Sequence, residues 1–114
     1  MNNQIKVGDI FHLSWGYNQT NVNFFQVTRI SAKGVFVREI GYVAVPGSEG
    51  FMSQNVLPVK DSFLKDSQWC CKRGLPFEKN IELFRKLKGN GFNIRGRYFA
   101  YLWDGKPKYN SWYA

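Results

Sequence analysis

The dipeptide Asn90-Gly91 constrains this chain more than any other feature, because Asn followed by Gly is the pair best suited to a two-residue β-hairpin turn. With those two residues at the corner, Gly89 faces Phe92 and every later pair is forced. Leu87 then opposes Ile94, Leu83 opposes Tyr98 and Ile81 opposes Ala100, all on one apolar face. The other face sets Lys88 opposite Asn93, Lys86 opposite Arg95 and Phe84 opposite Arg97. A slip of one residue would exchange the faces, so the pattern itself specifies the register. A helix over 77–88 competes, since Phe77, Ile81, Phe84 and Leu87 repeat at helical spacing behind Pro76, with Gly89 placed as a cap. The separation of apolar from basic residues favours the hairpin.

The rest of the chain also reads as strands. Asp9 to Tyr17 alternates, with Phe11, Leu13 and Trp15 on one face and Ile10, His12 and Ser14 on the other. A polar turn over 16–21 leads to a second strand, Val22 to Ile30, rich in β-branched and aromatic residues. Ser31-Ala32-Lys33-Gly34 reverses the chain, with Gly34 suited to a left-handed position. A third strand, Val35 to Val45, ends at Pro46-Gly47, and its register against the second is left open because two pairings serve equally well. A short strand near Asn55–Val59, an irregular stretch over 60–76, and a last arm after an Asp104-Gly105 turn complete the pattern. The predicted fold is mainly β: one domain spanning 1–114, built as a small, strongly bent antiparallel sheet or partly open SH3-like barrel with at most one short helix.

Length and composition fit this reading. A chain of 114 residues, 44% hydrophobic and 18% aromatic, has the material for one core without metal or disulfides. No apolar run approaches the ~20 residues that cross a bilayer, and Met1-Asn2-Asn3-Gln4 begins no signal peptide, so a cytoplasmic protein without membrane contact is expected. Cys70 and Cys71 are neighbours and read as reduced thiols. With one histidine they supply too few ligands for a structural zinc site, so neither metal nor cofactor is expected.

The net charge of +8 is unevenly spread. Residues 1–57 carry four cations against three acids, a net of +1, whereas residues 58–114 carry twelve against five, a net of +7. Such asymmetry points to a polyanion-facing surface in the second half, although a cationic balance also serves solubility alone. On the hairpin, Lys86, Lys88, Arg95 and Arg97 interleave with Phe84, Phe99 and Tyr101. Cations that follow phosphates, beside rings on which bases stack, are what proteins present to single-stranded nucleic acid. The competing reading is a solvated edge whose lysines discourage sheet-to-sheet association.

Catalytic constellations are missing. His12, mid-strand, is the one candidate histidine base and reads as structural; the eight carboxylates are scattered, and no phosphate-cradling Gly loop occurs. No catalytic residue is assigned, and a non-enzymatic protein is favoured. A second aromatic group lies near turns: Trp15, Tyr17, Trp103, Tyr109 and Trp112. They are lids over barrel ends or a platform for a partner. Beside them, Asn18 and Gln19 either read a partner or tie down their own turn, and Asp104 shares the tight turn after Trp103.

Two segments, Ser14-Trp15-Gly16-Tyr17-Asn18-Gln19-Thr20-Asn21-Val22-Asn23-Phe24 and Tyr101-Leu102-Trp103-Asp104-Gly105-Lys106-Pro107-Lys108-Tyr109, resemble a family of small uncharacterised proteins of bacteriophages and bacterial mobile elements. Its members share a Trp-Gly-Tyr-Asp-Gln-Thr-Asn-Val-like stretch and a Trp-Asp-Gly-Lys-Pro-like stretch; here Asn18 replaces the Asp. The match spans roughly residues 7–45 and 92–114. It implies an accessory protein in the cytoplasm of a bacterial host, and supplies no mechanism. Two functions from different classes follow. The first is a non-enzymatic nucleic-acid-binding protein, single strands included, that uses Phe84, Lys86, Lys88, Arg95, Arg97 and Phe99. The second is an inhibitor or adaptor that grips a host defence protein through Trp15, Tyr17, Asn18, Gln19, Trp103, Asp104 and Trp112.

Overall fold

The computed structural model describes residues 5–16, 19–50, 53–72 and 78–111. They form eight strands of one antiparallel sheet: β1 (Ile10–Trp15), β2 (Asn21–Ser31), β3 (Gly34–Ala44), β4 (Ser53–Phe63), β5 (Leu83–Lys86), β6 (Gly91–Arg95), β7 (Tyr98–Leu102) and β8 (Lys108–Ser111). No helix occurs among the described residues, which removes the helical alternative over 78–88; Phe77 and Pro76 lie outside them. The strand order is β6-β7-β1-β2-β3-β4-β8, with β5 paired to β3 off that path.

β2 is central because its residues are buried on both faces. Phe25 and Val27 enter the larger core with Phe11, Leu13, Val35, Val37, Phe92 and Ile94. Val22 and Phe24 enter a second core with Ile40 and Val56, flanked by Ile10 and Trp103. Over Phe24–Val27 four consecutive residues are buried, Gln26 among them, so this stretch cannot show its register by alternation. Two registers are in fact used. Ser31↔Gly34 to Arg29↔Phe36 follows one, Val27↔Val37 to Phe24↔Ile40 the other, and a bulge at Thr28 joins them.

The turn at Gly34 has a different cause from the one its sequence suggests. Its backbone is not left-handed; instead a Cβ there would lie 2.3 Å from the Arg85 carbonyl oxygen of β5. Glycine is needed for close approach.

β3 changes partner along its outer edge. Residues 40–44 pair with β4, and residues 34–37 pair with β5 through Val35↔Arg85 and Val37↔Leu83. Between them the buried Asn80 side chain replaces a strand: its Oδ1 accepts from Glu39 N at 3.1 Å, and its Nδ2 donates to Glu39 O and Leu64 O, each at 2.8 Å. The segment expected as irregular over 60–76 is therefore partly strand, since β4 runs to Phe63, and its described remainder is tied onto β3. Glu39 anchors that remainder. Its carboxylate accepts from Asn23 Nδ2 at 2.7 Å and from Ser67 Oγ. Burial pushes its pKa above the ordinary value, opposed by those two hydrogen bonds.

The second half departs from the hairpin read from Asn90-Gly91. A two-residue turn exists, but its corner is Gly89-Asn90, with Gly89 at φ 61°, and it is closed by a single bridge, Lys88↔Gly91. The expected pairs Leu87–Ile94, Lys86–Arg95 and Leu83–Tyr98 do not form. β5 pairs with β3 instead, and β6 pairs with β7 across a second tight turn at Gly96-Arg97, where Gly96 has φ 57°. Residues read as one arm are thus two strands. The sheet curls around the larger core without closing; between β5 and β6 a side chain spans the gap, with Arg85 Nε donating to Ile94 O at 3.0 Å.

Candidate nucleic-acid interface

Burial along 81–88 alternates strictly, with Ile81, Leu83, Arg85 and Leu87 half-buried and Glu82, Phe84, Lys86 and Lys88 exposed. The inside–outside division of the first arm therefore matches the sequence pattern, although its neighbour is β3. Phe84 lies opposite Phe36, and their rings sit 5.2 Å apart. Phe36 lies opposite Arg29, whose guanidinium carbon stands 3.7 Å above the Phe36 ring. Arg29 over Phe36, and Phe36 tilted 58° against Phe84, thus form one cation–ring stack across β2, β3 and β5, with Lys86 the next residue on that face of β5. Glu82 ties down the near end, accepting from Thr28 Oγ1 and lying 3.3 Å from Arg29 Nη2. Those contacts hold the Glu82 carboxyl below the usual range, the Thr28 hydroxyl foremost.

The outer face continues through the Lys88↔Gly91 bridge. Directly opposed residues share a face, so Lys88, Gly91, Tyr101 and His12 form a row across β6, β7 and β1. Gly91 has no side chain for a reason: a Cβ there would lie 2.2 Å from the Ala100 carbonyl oxygen and 2.6 Å from Phe99 Cε2. The Phe99 ring covers the glycine and packs 4.9 Å from the Tyr101 ring, which is 48% exposed. His12 is half-buried, and desolvation lowers its pKa, with Lys108 adding to the shift and Asp104 opposing it. An imidazole so placed carries little charge near neutral pH.

The candidate residues separate into three groups. Phe84, Lys86, Lys88 and Phe99 share the outer face. Arg95 does not: its Nη2 donates to the carbonyls of Trp69 and Cys71, each at 2.8 Å, and so clamps residues 69–71 over one end of the larger core. A register shift between Asn93 and Arg95 is what turns it there. Arg97 occupies the Gly96-Arg97 turn, with its guanidinium carbon 5.6 Å from the Tyr98 ring. Sequence reading missed Arg29 and Phe36, because their pairing depends on the register that the bulge at Thr28 conceals.

The second aromatic group divides too. Trp15 packs edge-on against Trp69 and Tyr98 at 5.4 and 6.2 Å and donates Nε1–H to Asn23 Oδ1 at 2.7 Å, so it is a lid. Trp103 packs against the second core and donates Nε1–H to Lys106 O at 2.8 Å. Asp104 closes its turn by accepting from Lys106 N at 3.0 Å and pairing with Lys108 at 3.0 Å, contacts that hold its pKa low, the Lys106 backbone first. Gln19 is half-buried in the turn between β1 and β2; Tyr17, Asn18 and Trp112 lie outside the described residues. Both cysteines are buried and unbridged, and burial pushes the Cys70 thiol far above its ordinary value, so it is no nucleophile.

Among the described residues no cluster of His, Cys, Asp and Glu is placed to hold a metal ion, and no helix is long and apolar enough to cross a membrane. No family model, curated protein or solved structure matches this chain.

Proposed function

We propose that this is a non-enzymatic nucleic-acid-binding protein, an accessory factor of a phage or mobile element, that takes single-stranded nucleic acid across the outer face of β2, β3, β5 and β7. The observation that carries the reading is the continuity of rings and free cations on that face. Arg29 lies over Phe36, which packs at a 58° tilt against Phe84; Phe99 and Tyr101 pack at the same tilt; and between the two groups stand Lys86 and Lys88, exposed and without an ion-pair partner among the described residues. Rings held by intramolecular packing need no ordering when a base stacks on them, and each such stack contributes about 1–3 kcal/mol.

The alternative, a clamp on a host protein through the Trp and Asp residues near the turns, has weaker support. Trp15, Trp103 and Asp104 already serve their own fold with ring packing and hydrogen bonds.

Titration of a fluorescent single-stranded oligonucleotide across a salt series tests the proposal. Affinity is expected to fall by about 0.7 log units per log unit of salt for each phosphate contact, so Lys86→Ala and Lys88→Ala should each flatten the slope by about that amount. Arg95→Ala, by contrast, should destabilise the fold and leave the slope of the folded fraction unchanged. Binding that ignores salt, or no binding at low salt, rejects the reading.

A further inference from the structure

Beside the Arg29–Phe36–Phe84 stack lies an open cleft of about 650 Å³ that the reading above leaves unused. β4 makes it by an excursion: between Tyr42↔Pro58 and Ile40↔Phe63, residues 59–62 stand opposite Gly41 alone. Within that excursion Asp61 has φ 67°, the one positive φ at a non-glycine residue among those described. The buried Gln26 side chain holds it there, its Oε1 accepting from Asp61 N at 2.7 Å and its Nε2 donating to Asp61 Oδ1 at 2.8 Å. Backbone strain of this kind persists only where neighbours enforce it, and it concentrates at ligand sites. The arrangement leaves Asp61 Oδ2 without a partner at the cleft wall.

Around this oxygen the cleft offers both charges and a greasy wall. Arg38 and Lys79 supply cations, and Phe63 and Ile81 supply apolar surface. Arg38 Nη2 donates to Asn80 O at 2.9 Å and its Nε–H is buried without a partner, so the protein leaves part of this guanidinium unsatisfied. The required ligand is flat, has a pair of adjacent N–H donors for a carboxylate, and has an acceptor next to them for a cation. Among the bases, guanine has that edge: O6 accepts beside the N1–H and 2-amino donors. Adenine and cytosine offer one donor beside acceptors, and uracil flanks its single donor with acceptors on both sides.

We infer that the cleft is a guanine-selective subsite, with Asp61 Oδ2 accepting from one of N1–H and the 2-amino group, Oδ1 accepting from the other through the lone pair that Gln26 leaves open, and Arg38 or Lys79 donating to O6. This inference rests on the nucleic-acid reading for its source of guanine, since the cleft shares Thr28 and Glu82 with the edge of the stacked face. The guanine could also arrive as a free nucleotide, and the test separates the two.

Oligothymidylate carrying one central guanine is compared with the same strand carrying hypoxanthine, which lacks only the 2-amino group, and with thymine throughout. GMP and IMP are titrated in parallel. The guanine strand should bind about tenfold more tightly than the hypoxanthine strand. Asp61→Asn should abolish that preference while keeping the salt dependence. Asparagine suits both this φ and the Gln26 bond, and merely turns the free acceptor into a donor. Equal affinity for guanine and hypoxanthine in both series, or a preference that survives Asp61→Asn, overturns the subsite and leaves the stacked face standing. If no strand binds but GMP is preferred over IMP, the subsite holds for a free nucleotide and the strand-binding function falls.

Discussion

The turns at Ala32-Lys33 and Gly89-Asn90 are both two-residue reversals, yet only the first generates a hairpin. From Ser31↔Gly34 the ladder of β2 and β3 runs on to Phe24↔Ile40, whereas from Lys88↔Gly91 it stops at once. A turn brings two segments near each other; what they pair with is decided by which backbone edges lack partners. β3 offers β5 an unpaired edge over Gly34–Val37, because β4 covers only 40–44. β6 meanwhile finds β7 through its own turn seven residues after the first, at Gly96-Arg97. The two short strands are thereby drawn to opposite sides of the gap, and Arg85 spans it. The difference also shapes the proposed binding face. It separates the ring stack on β5 from that on β7, leaving Lys86 and Lys88 between them.

Three substitutions probe this contrast, from the largest effect down. Asn80→Ala removes the side chain that fills the outer edge of β3 between its two partners. It leaves the Glu39 N–H and the Leu64 C=O without the partner that Asn80 supplied, while the Glu39 C=O keeps the Leu64 N–H, so unfolding in denaturant should show a loss of roughly 3 kcal/mol at about 1–3 kcal/mol per orphaned group. Gly34→Ala places a Cβ against the Arg85 carbonyl of β5. It should cost about 1–3 kcal/mol and weaken amide-exchange protection in β5 ahead of β6 and β7. Gly89→Ala meets nothing within 4 Å and is opposed only by its positive φ, so about 1 kcal/mol is expected. Were Gly89→Ala the costlier of the two glycine changes, the local turn and not the docking of β5 on β3 would be organising this half of the sheet.

Much of the fold was legible from the residues. Alternation in Phe11, Leu13 and Trp15 placed β1 correctly, and alternation across 81–88 put Phe84, Lys86 and Lys88 outside and Leu83 and Leu87 inside. Partner choice was not legible, because it depends on unpaired edges far away in sequence. Gly96 shows a further cause: flanked by Arg95 and Arg97, it carried no strong turn signature, yet its positive φ splits one apparent strand into β6 and β7. Charge counting misled in the same way. Arg85 and Arg95 belong to the basic half, but both are spent on backbone carbonyls, of Phe84 and Ile94 for the first and of Trp69 and Cys71 for the second. Arg29 and Phe36 went unnoticed because the bulge at Thr28 hid their register. Asp61 was just one of several scattered acids until Gln26 fixed it at the cleft.

The central claim is that a single strand lies across the outer face from the Arg29–Phe36–Phe84 stack to the Phe99–Tyr101 stack. Its most direct test is amide and side-chain chemical-shift mapping by NMR during titration with a short single-stranded oligonucleotide. The account predicts shifts concentrated at residues 29, 36, 84–88, 99 and 101, with Arg95 and the Trp15–Trp69 lid unmoved. Shifts centred on Trp15, Trp103 and Asp104 with the β5 and β7 face silent would contradict it.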